Sequence, residues 1–374
     1  MTYCVDSSKL KTIPLTVIFF CLLPLTVWGQ ESWQKQWDAN VTEAKKEGRV
    51  VVVGTADSVM RNEFIPRFTT RFGIPVEYIA GRGPETFARV RTERQAGIYA
   101  IDVFLASITN ISKILYPEKM LDPLKPVLIL PEVMNPTKWK MNKLWFIDPE
   151  EKYVLRVFRH AQALLYINTD FVKADEMRSA RDLLNPKWRG KMATDDPAAR
   201  TGAGTSLADY FYLLFGPEFV KSLYLDQQPV RSRDKRQLTE WLARGTYPIC
   251  FACDSGIVHD FQQEGFKIAP IYELSDVPSM LSASSWLVGL ANKAPHPHAA
   301  RVFANWAVTK DALDTYSRGD PIVTLRSDVD ESFLDPRIIP RPGVNYIWDN
   351  GIWDFIVRDR DQLRERVLKL LKSG

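Results

Sequence analysis

Apolar and polar positions alternate in blocks along this chain, and the blocks predict a strand-and-helix succession. Trp37 to Gly48 has helical spacing and ends on glycine, and Arg49 to Val53 is an unbroken β-branched run. A strand that is apolar on both faces belongs inside a helix-covered, mainly parallel sheet. The pattern then repeats. A helix is predicted over Val59 to Phe72 and closed by Gly73, a strand over Pro75 to Ala80, a helix over Glu85 to Gln95, and a strand over Ala100 to Leu105. Each strand end opens into Gly, Ser, Thr or Asn, and in open α/β sheets such loops are where ligands sit.

Between Leu121 and Asp148 prolines loosen the pattern, and Tyr153 to Asn168 reads as a strand and crossover into a second domain. Further units follow: a short helix over Arg178 to Leu184, strands at Gln228 to Val230, around Cys250 and at Lys267 to Ile271, and helices from Lys235 to Ala243 and, after Asp254-Ser255-Gly256, to Glu264. Ser282 to Leu290 reads as the return into the first domain, and Pro297 to Val308 and Asp354 to Leu371 as closing amphipathic helices. A chain that leaves one α/β domain, builds another and returns makes two lobes with a cleft. The predicted division is residues 30–166 with 285–374 in lobe 1 and residues 167–284 in lobe 2.

The stretch Lys187 to Phe211 carries the most conspicuous loop. A short apolar step ends in Thr194-Asp195-Asp196-Pro197, and Thr201-Gly202-Ala203-Gly204-Thr205-Ser206 precedes a helical pattern. Backbone N–H groups at such a helix start suit an oxyanion or carboxylate, and equally a capped turn with nothing bound.

Composition adds limits. At 374 residues, 45% hydrophobic and 25% charged, the chain is of ordinary globular make-up and long enough for two cores. Lys9 and Lys11 precede the apolar run Ile13 to Trp28, which is followed by Gly29-Gln30-Glu31, so residues 1–29 read as a secretory signal cut after Gly29. An uncleaved anchor is the alternative, and no stable membrane insertion is expected after cleavage. The net charge of +4 is mild, and no basic run is interleaved with aromatics, which argues against nucleic acid as a partner. Cleavage would leave Cys250 and Cys253, spaced to close one small disulfide or to remain as thiols. A thiol–disulfide enzyme is the competing reading, disfavoured because Cys250 sits in a strand-like run and not at a helix start.

Several segments, in this order, resemble the periplasmic solute-binding components of ABC importers, in the iron(III)-type branch of the extracellular solute-binding family. They are Glu43 to Val52, Phe72 to Tyr78, Glu93 to Gly97 leading to Asp102-Val103, Trp188 to Lys191 with Asp196-Pro197, and Pro295 to Ala300 leading to Asn305-Trp306. The resemblance implies the type II periplasmic-binding-protein fold, an α/β architecture of two lobes with open sheets. It also implies hinge closure on a small-molecule solute, delivery to a membrane permease and its ATPase, a monomer, and no enzymatic activity or cofactor. Ferric-binding members of the branch carry adjacent tyrosines after the strand that here is Ile249 to Cys253, where this chain has Asp254-Ser255-Gly256. Tyr210 and Tyr212, two apart on a helix, cannot face the same way. An anionic or polar organic solute is therefore expected, with no metal site, and ferric ion held by other ligands is the alternative.

On that fold the cleft is expected to be lined by Thr55, Asp57, Arg82, Ser107 and Asn110 from lobe 1, and by Thr201, Gly202, Gly204, Thr205, Asp254 and Ser255 from lobe 2. Arg82 could grip a carboxylate or phosphate bidentately or stand as a solvated loop arginine. Trp286 could stack on a ligand or lie in the core. There is no H-E-x-x-H, P-loop or G-x-S-x-G pattern, so any ATP-driven step belongs to a partner.

Overall fold

The structure, a computed structural model, describes residues 26–81, 83–199, 202–282, 286–347 and 353–372. Most of the predicted signal, residues 1–25, lies outside the described residues, as do Arg82 and Thr201. No helix among the described residues is long and apolar enough to cross a membrane.

Thirteen strands are used below: β1 Val50–Gly54, β2 Val76–Ala80, β3 Val103–Ala106, β4 Leu121–Asp122, β5 Val154–Arg156, β6 Ala161–Gln162, β7 Leu165–Asn168, β8 Met192–Asp195, β9 Val230–Ser232, β10 Ile249–Phe251, β11 Ile268–Ile271, β12 Met280–Leu281 and β13 Leu287–Ala291. The first sheet runs β2-β1-β3-β13-β4, with β5 also on β13, and the second runs β11-β7-β10-β8-β9. β1, β2 and β3 are parallel, and β13 runs against them. β8, β9 and β10 are parallel to one another, and β7 and β11 are antiparallel to their neighbours.

The two-sided apolar runs do what their pattern predicts. In β1, Val50 and Val52 enter the core on one face, with Phe64, Phe68, Phe303 and Trp306, while Val51 and Val53 enter the core on the other, with Phe87 and Ile111. In β10, Ile249 and Phe251 face Phe211 and Leu223, and Cys250 faces Leu238 and Val258. Each such valine or isoleucine withdrawn from water stabilises by about 1.5–3 kcal/mol, which fixes the register of the central strands.

Two chain segments cross between the sheets and pair with each other. β6 lies antiparallel to β12, with Ala161 opposite Leu281 and Gln162 opposite Met280. The His160 N–H donates to Ser282 Oγ at 3.2 Å, and the Ser282 N–H donates to the His160 carbonyl at 2.8 Å. This ribbon ties the two crossing segments together.

Some elements depart from expectation. Tyr153 to Asn168 is three short strands instead of one. The helix Lys310–Gly319, which the pattern did not predict, seats Tyr316 against Phe64 and Trp286. The C-terminal helix Arg360–Lys372, grouped by sequence with lobe 1, buries Leu363, Val367 and Leu371 in the core of the second sheet. Amphipathic spacing states that a helix has a partner and not which one. Trp286 is 3% exposed and packs edge-on to Phe64 and Phe158, so it is core.

Candidate functional site

Parallel strands bring their carboxyl ends to one edge of each sheet, and the expected site residues distribute accordingly. At the first sheet, Thr55 and Asp57 follow β1, and Ser107 and Asn110 follow β3, its neighbour. At the second, Gly202, Gly204 and Thr205 follow β8, and Asp254 and Ser255 follow β10, again neighbours. The structure thus groups the described candidates into two rims, one per lobe.

At the lobe-1 rim, the Tyr78 hydroxyl donates to the Thr55 carbonyl at 2.7 Å, and a Cβ on Gly54 would lie 2.2 Å from that hydroxyl oxygen, so the close approach needs glycine. Asp57 Oδ1 accepts from the Met60 N–H at 3.0 Å, and its other oxygen accepts from the Tyr316 hydroxyl. Burial, with Asp57 nearby, pushes the Asp320 carboxyl above the ordinary range. Burial and the Asp57 carboxylate likewise hold the Tyr78 and Tyr316 phenols in their protonated form. Ser107 caps its helix, its hydroxyl accepting from the Asn110 N–H at 3.4 Å.

At the lobe-2 rim, the loop after β8 is closed on itself. Asp195 Oδ2 accepts from the Gly204 N–H at 2.9 Å, and a Cβ on Gly204 would stand 2.1 Å from the Asp195 carbonyl oxygen. The Thr205 hydroxyl, 2% exposed as a residue, donates to the Ala199 carbonyl at 3.2 Å. The chain's own carboxylate therefore holds an amide that the sequence offered to a solute. Gly202 is exposed, in backbone with φ of 145°.

Asp254 is engaged too. Its Oδ1 caps the Ser255–Gln263 helix through the N–H groups of Gly256 (3.1 Å) and Ile257 (3.3 Å), and its Oδ2 accepts from Lys235 Nζ at 2.7 Å. Burial alone would raise this carboxyl, but the Lys235 and backbone hydrogen bonds outweigh it and hold it below the ordinary range. Ser255 is exposed and begins that helix. Cys250 and Cys253 are joined in a disulfide with Cα atoms 5.9 Å apart, and both are buried.

Residues that sequence reasoning passed over lie on the first crossover. Across the sheet, Ala106 at the end of β3 stands opposite Leu287, and Leu287 stands opposite Arg156. Arg156 therefore falls in the same row as the lobe-1 strand ends, and it is fully buried. Arg159, 1% exposed, donates through Nη2 to the Ile347 carbonyl at 2.9 Å. His160 follows, its Nδ1 buried with no partner among the described residues, and burial together with Arg159 lowers its pKa to about 4. The signal was present in the sequence: two arginines three apart inside YVLRVFRH, a run otherwise patterned for burial. Among the described residues no group of three or more His, Cys, Asp or Glu side chains could hold a metal ion.

A profile of the bacterial extracellular solute-binding proteins matches residues 63–337. Similar solved structures include Trichodesmium IdiA (FutA), described as in complex with iron and citrate, at 18% identity and TM-score 0.64, covering 85% of this chain and 98% of that one. The periplasmic binding protein AfuA of Actinobacillus pleuropneumoniae, described with fructose-6-phosphate bound, is 17% identical with TM-score 0.58, covering 87% and 99%. An ABC transporter structure from Clostridium perfringens is 12% identical with TM-score 0.66, also covering 87% and 99%.

Proposed function

The chain belongs to the bacterial extracellular solute-binding proteins and has the type II periplasmic-binding-protein fold, and on that premise we propose that it is the periplasmic receptor of an ABC importer for a small organic anion. The observation that carries the anion is the pair of guanidiniums on the first crossover, Arg156 and Arg159, both buried, with Arg156 in the same row as the lobe-1 strand ends. Carboxylates and phosphates match the planar guanidinium.

Capture then follows from differential closure. A solute touching both rims binds the closed arrangement more tightly than the open one and shifts the population toward it, with motion concentrated at the β6–β12 ribbon. The closed form, a monomer freed of residues 1–29, hands the solute to a permease whose ATPase supplies the energy. The chemistry at the rims is binding alone: the carboxylates are committed to capping and pairing, and the disulfide is buried.

Ferric ion is the second reading, supported by one feature. Asp57, Tyr316 and Tyr78 bring a carboxylate and two phenols together at the end of β1, oxygen donors of the kind a hard cation takes. A thermal-shift panel separates the readings, since a ligand that binds only the native state raises the melting temperature. The panel is phosphate, fructose 6-phosphate, citrate and other small carboxylates, amino acids, polyamines, and ferric ion with and without carbonate. The receptor account expects a rise with a phosphate ester or carboxylate; a rise with ferric ion alone selects the second reading, and a rise with polyamines alone overturns the anion.

A further inference from the structure

The C-terminal segment is fastened to both lobes within a few turns. Trp353 and Ile356 pack in the lobe-1 core with Val53, Phe104 and Ile111, whereas Leu363, Val367 and Leu371 pack in the lobe-2 core. Phe355 touches both cores. Polar contacts repeat the division. Arg360 donates to Thr109 Oγ1 at 3.3 Å and Asp361 pairs with Lys113 at 2.6 Å, both in lobe 1. Arg364, one turn on, pairs with Asp209 at 3.1 Å and donates to the carbonyls of Pro197 and Ala199, the latter at 3.0 Å. Those two carbonyls belong to the rim loop that follows β8.

The fastenings are unequal. The Arg364 and Asp209 side chains are 13% and 5% exposed, so removing one leaves a buried charge. The Asp361 side chain is 82% exposed, and such a pair contributes little. The π-helical turn Phe355–Asp359 carries Ile356 of the lobe-1 anchor and precedes the lobe-2 anchor.

We propose that this segment is a third connection between the lobes, and that its Arg364 is a positioning residue holding the lobe-2 rim loop in its solute-ready form. When the lobes rotate at the hinge, the Arg360–Lys372 helix travels with lobe 2, because its buried anchor there is the stronger. The contacts to Thr109 and Lys113 are the ones that shear. The consequence for solute capture rests on the receptor reading above; the coupling itself is independent of any solute.

The test is therefore made without one. Spin labels on Lys45→Cys and Glu264→Cys, exposed positions in the two lobes, report the interlobe distance by pulsed electron resonance, and hydrogen exchange reports the amides of Ala198, Ala199 and Gly204. Arg364→Gln is expected to speed that exchange at least tenfold and to broaden the distance distribution, and Arg364→Lys, the milder change, to speed it severalfold. Lys113→Ala with Asp361→Ala should alter the distances and leave the loop amides as in the wild type. Leu371→Ala, which removes packing and spares the clamp, should change neither. Wild-type exchange in both Arg364 variants, or the same changes in Leu371→Ala at matched stability, would overturn the proposal.

Discussion

The loop after β8 and the first crossover make an instructive pair. The loop is rich in glycine, hydroxyls and free-looking amides, the composition of an anion cradle, yet Asp195 fills it from within. The crossover has the composition of a core strand, yet it carries Arg156 and Arg159 into the interior, Arg156 in the row of the strand ends, and buries the His160 Nδ1 after them. A polar loop satisfies itself when a carboxylate lies within reach, because an unmade buried hydrogen bond costs more than a made one contributes. A buried guanidinium, by contrast, is expensive and persists in a core run only where something repays its desolvation.

Substitutions can break this contrast at several points. The largest effect is expected at Gly204, where alanine would drive its methyl carbon to 2.1 Å from the Asp195 carbonyl; chemical denaturation of Gly204→Ala should show a loss of about 3 kcal/mol, as for severe overpacking. An effect of near-wild-type size would mean that the loop yields easily and is open to a solute.

The crossover makes a comparable prediction through pH. His160 is neutral in the fold because its pKa there, about 4, is below that of the unfolded chain, about 6.5. Between those values the unfolded chain binds more protons, so stability is full above pH 6.5 and falls as pH drops toward 4, by about 3 kcal/mol in all. Thermal melts across that window should flatten in His160→Asn, and an equal slope in the variant would remove His160 as the cause.

Asp195→Ala should cost about 2 kcal/mol, as one charge-assisted hydrogen bond to the Gly204 N–H is lost. Enhanced anion binding in this variant would sharpen the contrast, since it frees the amide. The smallest effect belongs to the half-exposed pair at the β10 end: Lys235→Ala should cost 1 kcal/mol or less, by the measure of surface pairs, roughly and with salt dependence. A loss several times larger would show that Asp254 is a more critical anchor than its exposure suggests.

What could be read in the sequence, and what could not, follows the range of the forces involved. Val50 to Val53 identified a central strand because burial on both faces leaves a local pattern, and Gly73 marked a helix end because its φ of 69° favours glycine. Asp254 was placed at a strand end, and there it caps the Ser255–Gln263 helix. The Asp195–Gly204 closure was not foreseen, because it needs the return of a loop whose conformation no local pattern states. Neither Tyr316 opposite Asp57 nor Arg364 opposite Asp209 could be paired from sequence, being separated by long stretches of chain. The arginines of the crossover were legible and were passed over in favour of the more familiar loop.

The central claim is that an anion draws the lobes together, and small-angle X-ray scattering tests it most directly. Mature protein would be measured alone and with the phosphate ester or carboxylate that raises its melting temperature most. The account predicts a smaller radius of gyration with the anion, and a weaker response at the same concentration in Arg156→Lys. Saturating binding with an unchanged radius of gyration would contradict it.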